Sequence, residues 1–402
     1  MNWIQQVLNE TDESEAPNSY FYWSSLAVLS AIVSRSVYIR KRKLYKLYPN
    51  LFVFLISKYS GLGKGFPVSV AQKLVSRLGH NRVIAGQASI EGIIKELGNA
   101  YTTKSGRIIT TAEAFLISGE FGSFLLENPK LFTQLTDLYD SIYHDEWTKT
   151  LSSQEQNKLK DINLVGLFAA NEVHFNEALP LHAKKGGFLG RVVCVYESKN
   201  RKLNAAIRKT DDPDINYEGL LEHLKEVAKL KGEFTITEEA ITLYEKWYYV
   251  FYNIEKENID DTGTAARAKD TILKVSMLLS LATRLDMIIT EDHMSEAISQ
   301  VMNTLSSTKT MIVGEGKQEH ARKAKMILGI ITNSPDHKIT RKNLISRGFG
   351  EFDALDIDRV IETFEQGGLV KKWSSGKDLW YRVTEEAITL LTKFDKGDNN
   401  EK

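Results

Sequence analysis

The sequence predicts an α/β chain with a strand-and-helix core, a helical segment after it and a small C-terminal domain. Three observations carry that prediction. Apolar runs at Leu51 to Ile56, Ala114 to Ser118 and Ile162 to Ala170 have the length and bounding turns of buried strands, and helical patterns separate them. From Asn204 onward the pattern turns helical, with an apolar-faced stretch at Ala265 to Leu285. Beyond residue 318 the spacing changes again, to three short helical patterns and a two-stranded hairpin.

Composition bounds the function. The 402 residues are 42% hydrophobic and 26% charged, as in an ordinary globular protein. Fifty-two Lys and Arg balance 52 Asp and Glu, so no global field draws the chain to nucleic acid, and local patches must hold any such partner. The single cysteine, Cys194, excludes an intramolecular disulfide and a cysteine-based zinc site. The histidines are scattered without ligand spacing, and no apolar run approaches the roughly 20 residues of a membrane helix. These features predict a cytoplasmic protein without membrane contact.

Taken in order, Asn2 to Leu8 reads as a short helix and Tyr20 to Ser34 as a long apolar core helix. Val37 to Leu47 alternates apolar and basic residues, the pattern of a hairpin with one wet face. A lysine-protected edge strand is the main reading of that basic run, and phosphate contact the lesser one. Leu51 to Val70 (LFVFLISKYSGLGKGFPVSV) then combines an apolar strand, a glycine-and-serine turn and the start of a helix. That is the grammar of a phosphate-cradling loop, in which Ser60, Gly61, Leu62, Gly63 and Gly65 offer backbone N–H groups and Lys64 neutralises charge. The consensus is half met, because Lys58 occupies the first glycine position and Gly65 the position of the magnesium-binding hydroxyl.

Ser89 to Leu97 reads as a helix capped by Ser89, and Thr102 to Arg107 as a hairpin tip. The next apolar strand ends at Gly119-Glu120, placing a carboxylate where strands open toward a ligand. Phe132 to Tyr143 is helical. The polar stretch His144 to Lys160 suggests a surface hairpin, with Lys149 and Lys158 as candidate contacts to a polymer. The strand after it ends at Asn171, whose amide suits a terminal phosphate and a water. Lys184 and Lys185 lie in a basic glycine turn before Arg191, which heads another strand and is the candidate for a charge-stabilising arginine supplied to a neighbouring subunit. Amphipathic helices follow at Tyr217 to Lys231 and Glu238 to Ile254, the latter dense in aromatics that suit a packed core better than base stacking. Arg267 opens the next helix, as a second candidate sensor of phosphate.

Gly314 to Lys317 reads as a hinge, and the helices Arg322 to Ile331, Thr340 to Ser346 and Ala354 to Phe364 with a hairpin at Leu369 to Val383 describe a winged helix. Its third helix is acidic, with Asp356, Asp358, Glu362 and Glu365 against Arg359, which phosphate would repel. The wing is the better contact, through Lys371, Lys372 and Lys377 beside Trp373 and Trp380, with protein docking an equal competitor. The segment TEEAITL occurs at Thr237 to Leu243 and again at Thr384 to Leu390, one local solution used twice.

The order PNLFVFLISKYSGLGKG, SIEGIIKEL, AFLISGEFGSFL, LYDSIY, INLVGLFAANE, GGFLGR and FTITEEAITLYEKWY resembles the P-loop ATPases encoded by phages, plasmids and integrated elements. The resemblance covers about residues 20 to 310. It implies a RecA-like or AAA-type P-loop NTPase core with a helical lid, ATP held at Gly61, Gly63 and Lys64, hydrolysis aided by Glu120 and Asn171, and a trans role for Arg191. Helicase-like or loader activity on DNA, single-stranded above all, is the further implication, together with Mg2+, replication or mobile-element partners, and a homo-oligomer such as a hexameric ring. Two departures concern the metal: Gly65 removes its hydroxyl ligand and Gly119 the usual carboxylate, leaving Glu120 as an indirect metal contact. A nucleotide switch with little hydrolysis and a winged-helix regulator are the competing readings. The expected division is 1–50, an N-terminal helix and hairpin; 51–202, the core; 203–312, the lid; 318–395, the winged helix; and 396–402, a disordered tail.

Overall fold

The computed structural model describes residues 2–41, 45–86, 89–121, 130–140, 142, 146–150, 156–179, 187–205, 214–255 and 263–385. Helices α1 (Trp3–Glu10) and α2 (Asn18–Val33) open the chain. Asn2 caps α1 by accepting from the Ile4 N–H, and α2 is apolar on almost every side, so it is buried along its length. The antiparallel pair β1 (Val37–Lys41) and β2 (Tyr45–Leu47) follows. Two of its cations are paired locally, Arg40 with Glu233 and Lys41 with Asp270.

The elements of the core are β3 (Phe52–Ser57), α3 (Gly65–Leu78), β4 (Val83–Ala85), α4 (Ile90–Gly98), the small hairpin β5 (Tyr101–Thr102) and β6 (Ile108–Ile109), and β7 (Glu113–Ser118). After them come α5 (Lys130–Asp140), the hairpin β8 (Glu146–Thr150) and β9 (Gln156–Lys160), β10 (Asn163–Asn171), α6 (Glu172–Ala178) and β11 (Val192–Glu197). Strands pair in the order β11, β3, β10, β7, β4, and every pairing is parallel. A parallel sheet must be covered on both faces, and the strand residues divide accordingly. Phe54 and Phe168 pack with Phe121, Phe175 and Phe188 on one side, while Val53, Leu55, Leu167 and Val193 join the core with α2 and α3 on the other. The mixed α/β class is as expected, and the five-stranded parallel sheet is compatible with a Rossmann or RecA-like core.

Helix α7 (Tyr217–Val227), strands β12 (Gly232–Glu233) and β13 (Thr235–Ile236), helices α8 (Glu238–Glu255) and α9 (Thr264–Thr283), β14 (Ile288–Ile289) and α10 (Glu291–Thr332) follow. One apolar cluster runs from Trp3 through the sheet to Leu305, and Met1–Met311 form one compact unit. Among the described residues, α1, α2 and helices α7 to α10 as far as Leu305 contribute to the same apolar cluster as the sheet. The aromatics of α8 behave as expected for packing: Phe251 is buried, and Tyr244, Trp247 and Tyr252 lie against the same cluster. Residues 314–317 are helical within α10, so the expected hinge is corrected. Glycine costs a helix about 1 kcal/mol, which the helix-forming residues around it (EGKQEHARKAK) offset.

The second unit is Ile312–Lys402. In it, β15 (Lys338–Thr340), α11 (Arg341–Arg347), α12 (Ala354–Gln366), β16 (Val370–Ser375) and β17 (Asp378–Val383) surround a core of Ile327, Leu344, Ile357, Val360 and Tyr381. Asp353 and Asp356 form a reciprocal capping box at the start of α12. The expected two-stranded hairpin gains a third strand, in the order β15, β17, β16. The tail at 396–402 and most of the second TEEAITL segment lie outside the described residues.

Candidate phosphate-binding site

The C-terminal edge of β3 carries the loop. A single 3-10 turn spans Ser60–Leu62, Gly63 adopts φ 68° and Lys64 stands immediately before α3. Gly63 is favoured as glycine by its left-handed backbone, and it lies against Ala16, whose Cβ would be 3.4 Å from an added Cβ, an ordinary contact distance. The Leu62 side chain is fully buried, so it anchors the loop and leaves only its backbone for a ligand. Phe66 N–H is spent on Gly63 O at 3.0 Å, and Pro67 has no N–H. At the helix start, the donors left for an anion are those of Lys64 and Gly65.

Lys64 is 9% exposed, and among the described residues its ammonium makes no hydrogen bond or ion pair. Its ammonium is thus available to an anion held at the loop. Beside it, register places Ser57 opposite Asn171 of β10, and Ser118 of β7 opposite Phe168 of β10. The loop, Asn171 and Glu120 therefore occupy the same edge on three successive strands. Asn171 has a local task as well: its Oδ1 accepts from His174 N–H at 2.8 Å and caps α6, leaving its amide N–H2 as a donor. Glu120 is exposed.

The expected hydroxyl and carboxylate for magnesium are absent, and the backbone leaves open space at both positions: a Cβ at Gly65 or Gly119 would meet nothing within 4 Å. Neighbouring carboxylates at the strand tips are already engaged, Glu172 by the Tyr196 hydroxyl at 2.9 Å and Glu197 by Ser19 at 2.6 Å. Burial, with Glu172 beside it, pushes the Tyr196 hydroxyl up to about 12. No cluster of three His, Cys, Asp or Glu side chains forms among the described residues. Among the described residues, the donor set at these strand tips therefore does not fit a tightly held magnesium ion.

Arg191 and Arg267 are elsewhere, and both expectations need correction. Val192 pairs with Phe52, so Arg191 heads its strand at the sheet edge opposite the loop, about 20 Å away at strand spacing. It is held in its own chain by both oxygens of Asp140 and by Gly187 O, with 10% of its side chain exposed. Arg267 reaches the same Asp140 at 3.4 Å. Burial alone would raise the Asp140 pKa, but the two guanidiniums outweigh it and hold the carboxyl below its usual value. An arginine clamped in this way is not presented to a neighbouring subunit.

A residue the sequence did not single out is Arg201, just beyond β11. Its guanidinium donates to Ser14 O and Thr11 O at 2.7 Å each, and to Asp12 O and Asn18 Oδ1. It thus pins the segment between α1 and α2, the one that places Ala16 against Gly63. No local pattern signals a contact across nearly 190 positions. Lys184 and Lys185 lie outside the described residues, as does the Lys149 side chain; Lys158 is exposed on the β8 and β9 hairpin, and Lys371, Lys372 and Lys377 are exposed in the second unit. No helix among the described residues is long and apolar enough to cross a membrane. No protein-family model and no curated protein matches the chain.

Proposed function

We propose that the chain is an ATP-binding protein of the RecA-like P-loop kind that acts on DNA and hydrolyses ATP slowly. The observation that carries this reading is the largely buried Lys64, whose ammonium makes no hydrogen bond or ion pair among the described residues, at the start of a 14-residue helix, with the Asn171 amide and Glu120 carboxylate on the two adjoining strand tips. Lys64 and the loop N–H groups hold the phosphates, Asn171 donates to the terminal phosphate, and Glu120 orients the attacking water. The DNA-acting part rests on the second unit, whose order of helix, strand, two helices and hairpin suits a winged helix with a basic wing. Arg191 has no part in the proposal, and the ring loses the residue that suggested it.

A second reading, a nucleotide-gated switch with little turnover, is favoured by the glycines at 65 and 119. Binding and turnover separate the two. Lys64→Ala should weaken ATP binding about ten- to a hundredfold, the worth of a charge-assisted contact, whereas Lys58→Ala, an exposed lysine in the same loop, should change it little. Equal affinity in Lys64→Ala and wild type would overturn the nucleotide site. Turnover no greater than that of Lys64→Ala, with or without single-stranded DNA, would select the switch.

A further inference from the structure

We propose that the outward face of the three-stranded sheet in the Ile312–Lys402 unit is a stacking platform for single-stranded nucleic acid, built by Trp373, Trp380, Arg382, Lys371 and Lys338. The proposal deepens the DNA-acting part of the functional reading and is independent of ATP binding. Strand register makes the platform. Lys338, Arg382 and Lys371 are direct cross-strand partners on β15, β17 and β16, and form one rung. Thr340, Trp380 and Trp373 form the next rung on the same face. The intervening rung, with Ile339 and Tyr381, turns into the core.

The two indoles lie nearly parallel, 15° apart with centroids at 6.2 Å. Trp373 is 37% exposed, an unusual position for so large an apolar ring and one that leaves a π-face for a base. Same-face residues along a strand are about 7 Å apart, comparable to the span from a phosphate to its own base. Bases on the tryptophan rung would thus set phosphates over the cation rung. Lys338 is partly neutralised by Asp336 at 3.0 Å, and Asp378 lies at the hairpin end, opposite Ser375. Arg382 and Lys371 have no ion-pair partner among the described residues.

The chemistry favours a single strand over a duplex or a protein. Helix α12, the one that would enter a groove, carries exposed Glu362 and Glu365, and Asp358 on it is already taken by Arg341 at 2.9 Å. A duplex phosphate backbone would meet that acidity. A flat face with ringed and cationic rungs matches unstacked bases on a charged backbone.

The test measures binding of fluorescein-labelled oligothymidylate to the full chain by anisotropy at fixed salt. Trp373→Ala should bind about fivefold or more weakly, as expected for one lost stack, and Trp373→Phe should recover most of the loss. Arg382→Gln should weaken binding and lower the salt slope by about 0.7. ATP affinity should stay at the wild-type value in all three variants, so failure here and failure of the nucleotide site are told apart. Circular dichroism confirms that the variants are folded, and quenching of tryptophan emission in the wild type gives a second readout. The proposal is overturned if Trp373→Ala keeps wild-type affinity, if an abasic oligomer or a duplex binds as tightly, or if the wild type binds no oligonucleotide, the outcome that a protein-facing surface would give.

Discussion

In the proposed nucleotide site, metal handling turns on two glycines. Gly65 and Gly119 stand where a hydroxyl and a carboxylate would bind magnesium or its waters, and both have room for a larger side chain. Neither has a positive φ, so serine and aspartate enter without backbone strain. Gly65→Ser also removes a glycine from the first turn of α3, which favours the helix slightly. If metal placement limits turnover, the double variant Gly65→Ser with Gly119→Asp should hydrolyse ATP about ten- to a hundredfold faster, since positioning errors of this kind cost that much. Steady-state kinetics with magnesium titration is the measurement. An unchanged rate at unchanged ATP affinity would locate the limitation away from these two positions. Both departures were legible in the sequence, because a consensus names the residue type at each position. That the fold leaves space there was not legible, since space depends on residues distant in the chain.

At the scale of elements, α9 is tied to the N-terminal ends of the sheet by one buried lysine. Lys274 donates to Asn50 O at 3.1 Å, Asn50 Oδ1 at 2.7 Å and the Tyr139 hydroxyl at 2.8 Å. Burial pushes its pKa down to about 7; Asp270 and Asp140 oppose the shift, and Arg267 adds to it. Below pH 7 the folded and unfolded chains both hold the proton, and the full cost of burying the charge is present. Between about pH 7 and 10 the folded chain has released it and the unfolded chain has not, so stability should rise with pH, by at most about 1.4 kcal/mol per unit. Urea midpoints of wild type minus Lys274→Met should show that rise; parallel curves would mean that the ammonium is not destabilised by burial. The strands themselves were legible as apolar runs. Their order was not, because pairing joins β3 to β10 and β11 across more than a hundred positions, and only that order sets Asn171 and Glu120 beside the loop. Arg191 shows the same limit. Its place at a strand head was legible, but Asp140, its partner, belongs to a helix with no sequence link to it.

Across the whole molecule, 52 basic residues offset 52 acidic ones, so affinity for nucleic acid must come from a small patch and not from a general field. The wing residues Lys371, Trp373 and Trp380 were readable in the sequence. Arg382 lies within the expected hairpin but was not singled out, and Lys338 was not legible, because β15 is three residues long, too short to show alternation, and only register aligns it with the hairpin. The patch then sets the salt dependence. Each cation that releases counterions from a single strand contributes about 0.7 to the slope of log affinity against log salt. Arg382 and Lys371 alone give about −1.4, and Lys338 brings the slope to about −2 once Asp336 yields it to phosphate. Titrations of oligothymidylate across a salt series should therefore be shallow, and Asp336→Asn should steepen the slope toward −2 while tightening binding. A slope several times steeper in the wild type would require a second basic surface, for which the β8 and β9 hairpin with Lys158 is the first place to look. Because the tryptophan stacks carry no counterion release, Trp373→Ala should lower affinity without changing the slope, and Arg382→Gln should lower both. That separation follows only if base stacking and phosphate contact reside on the two different rungs of this sheet.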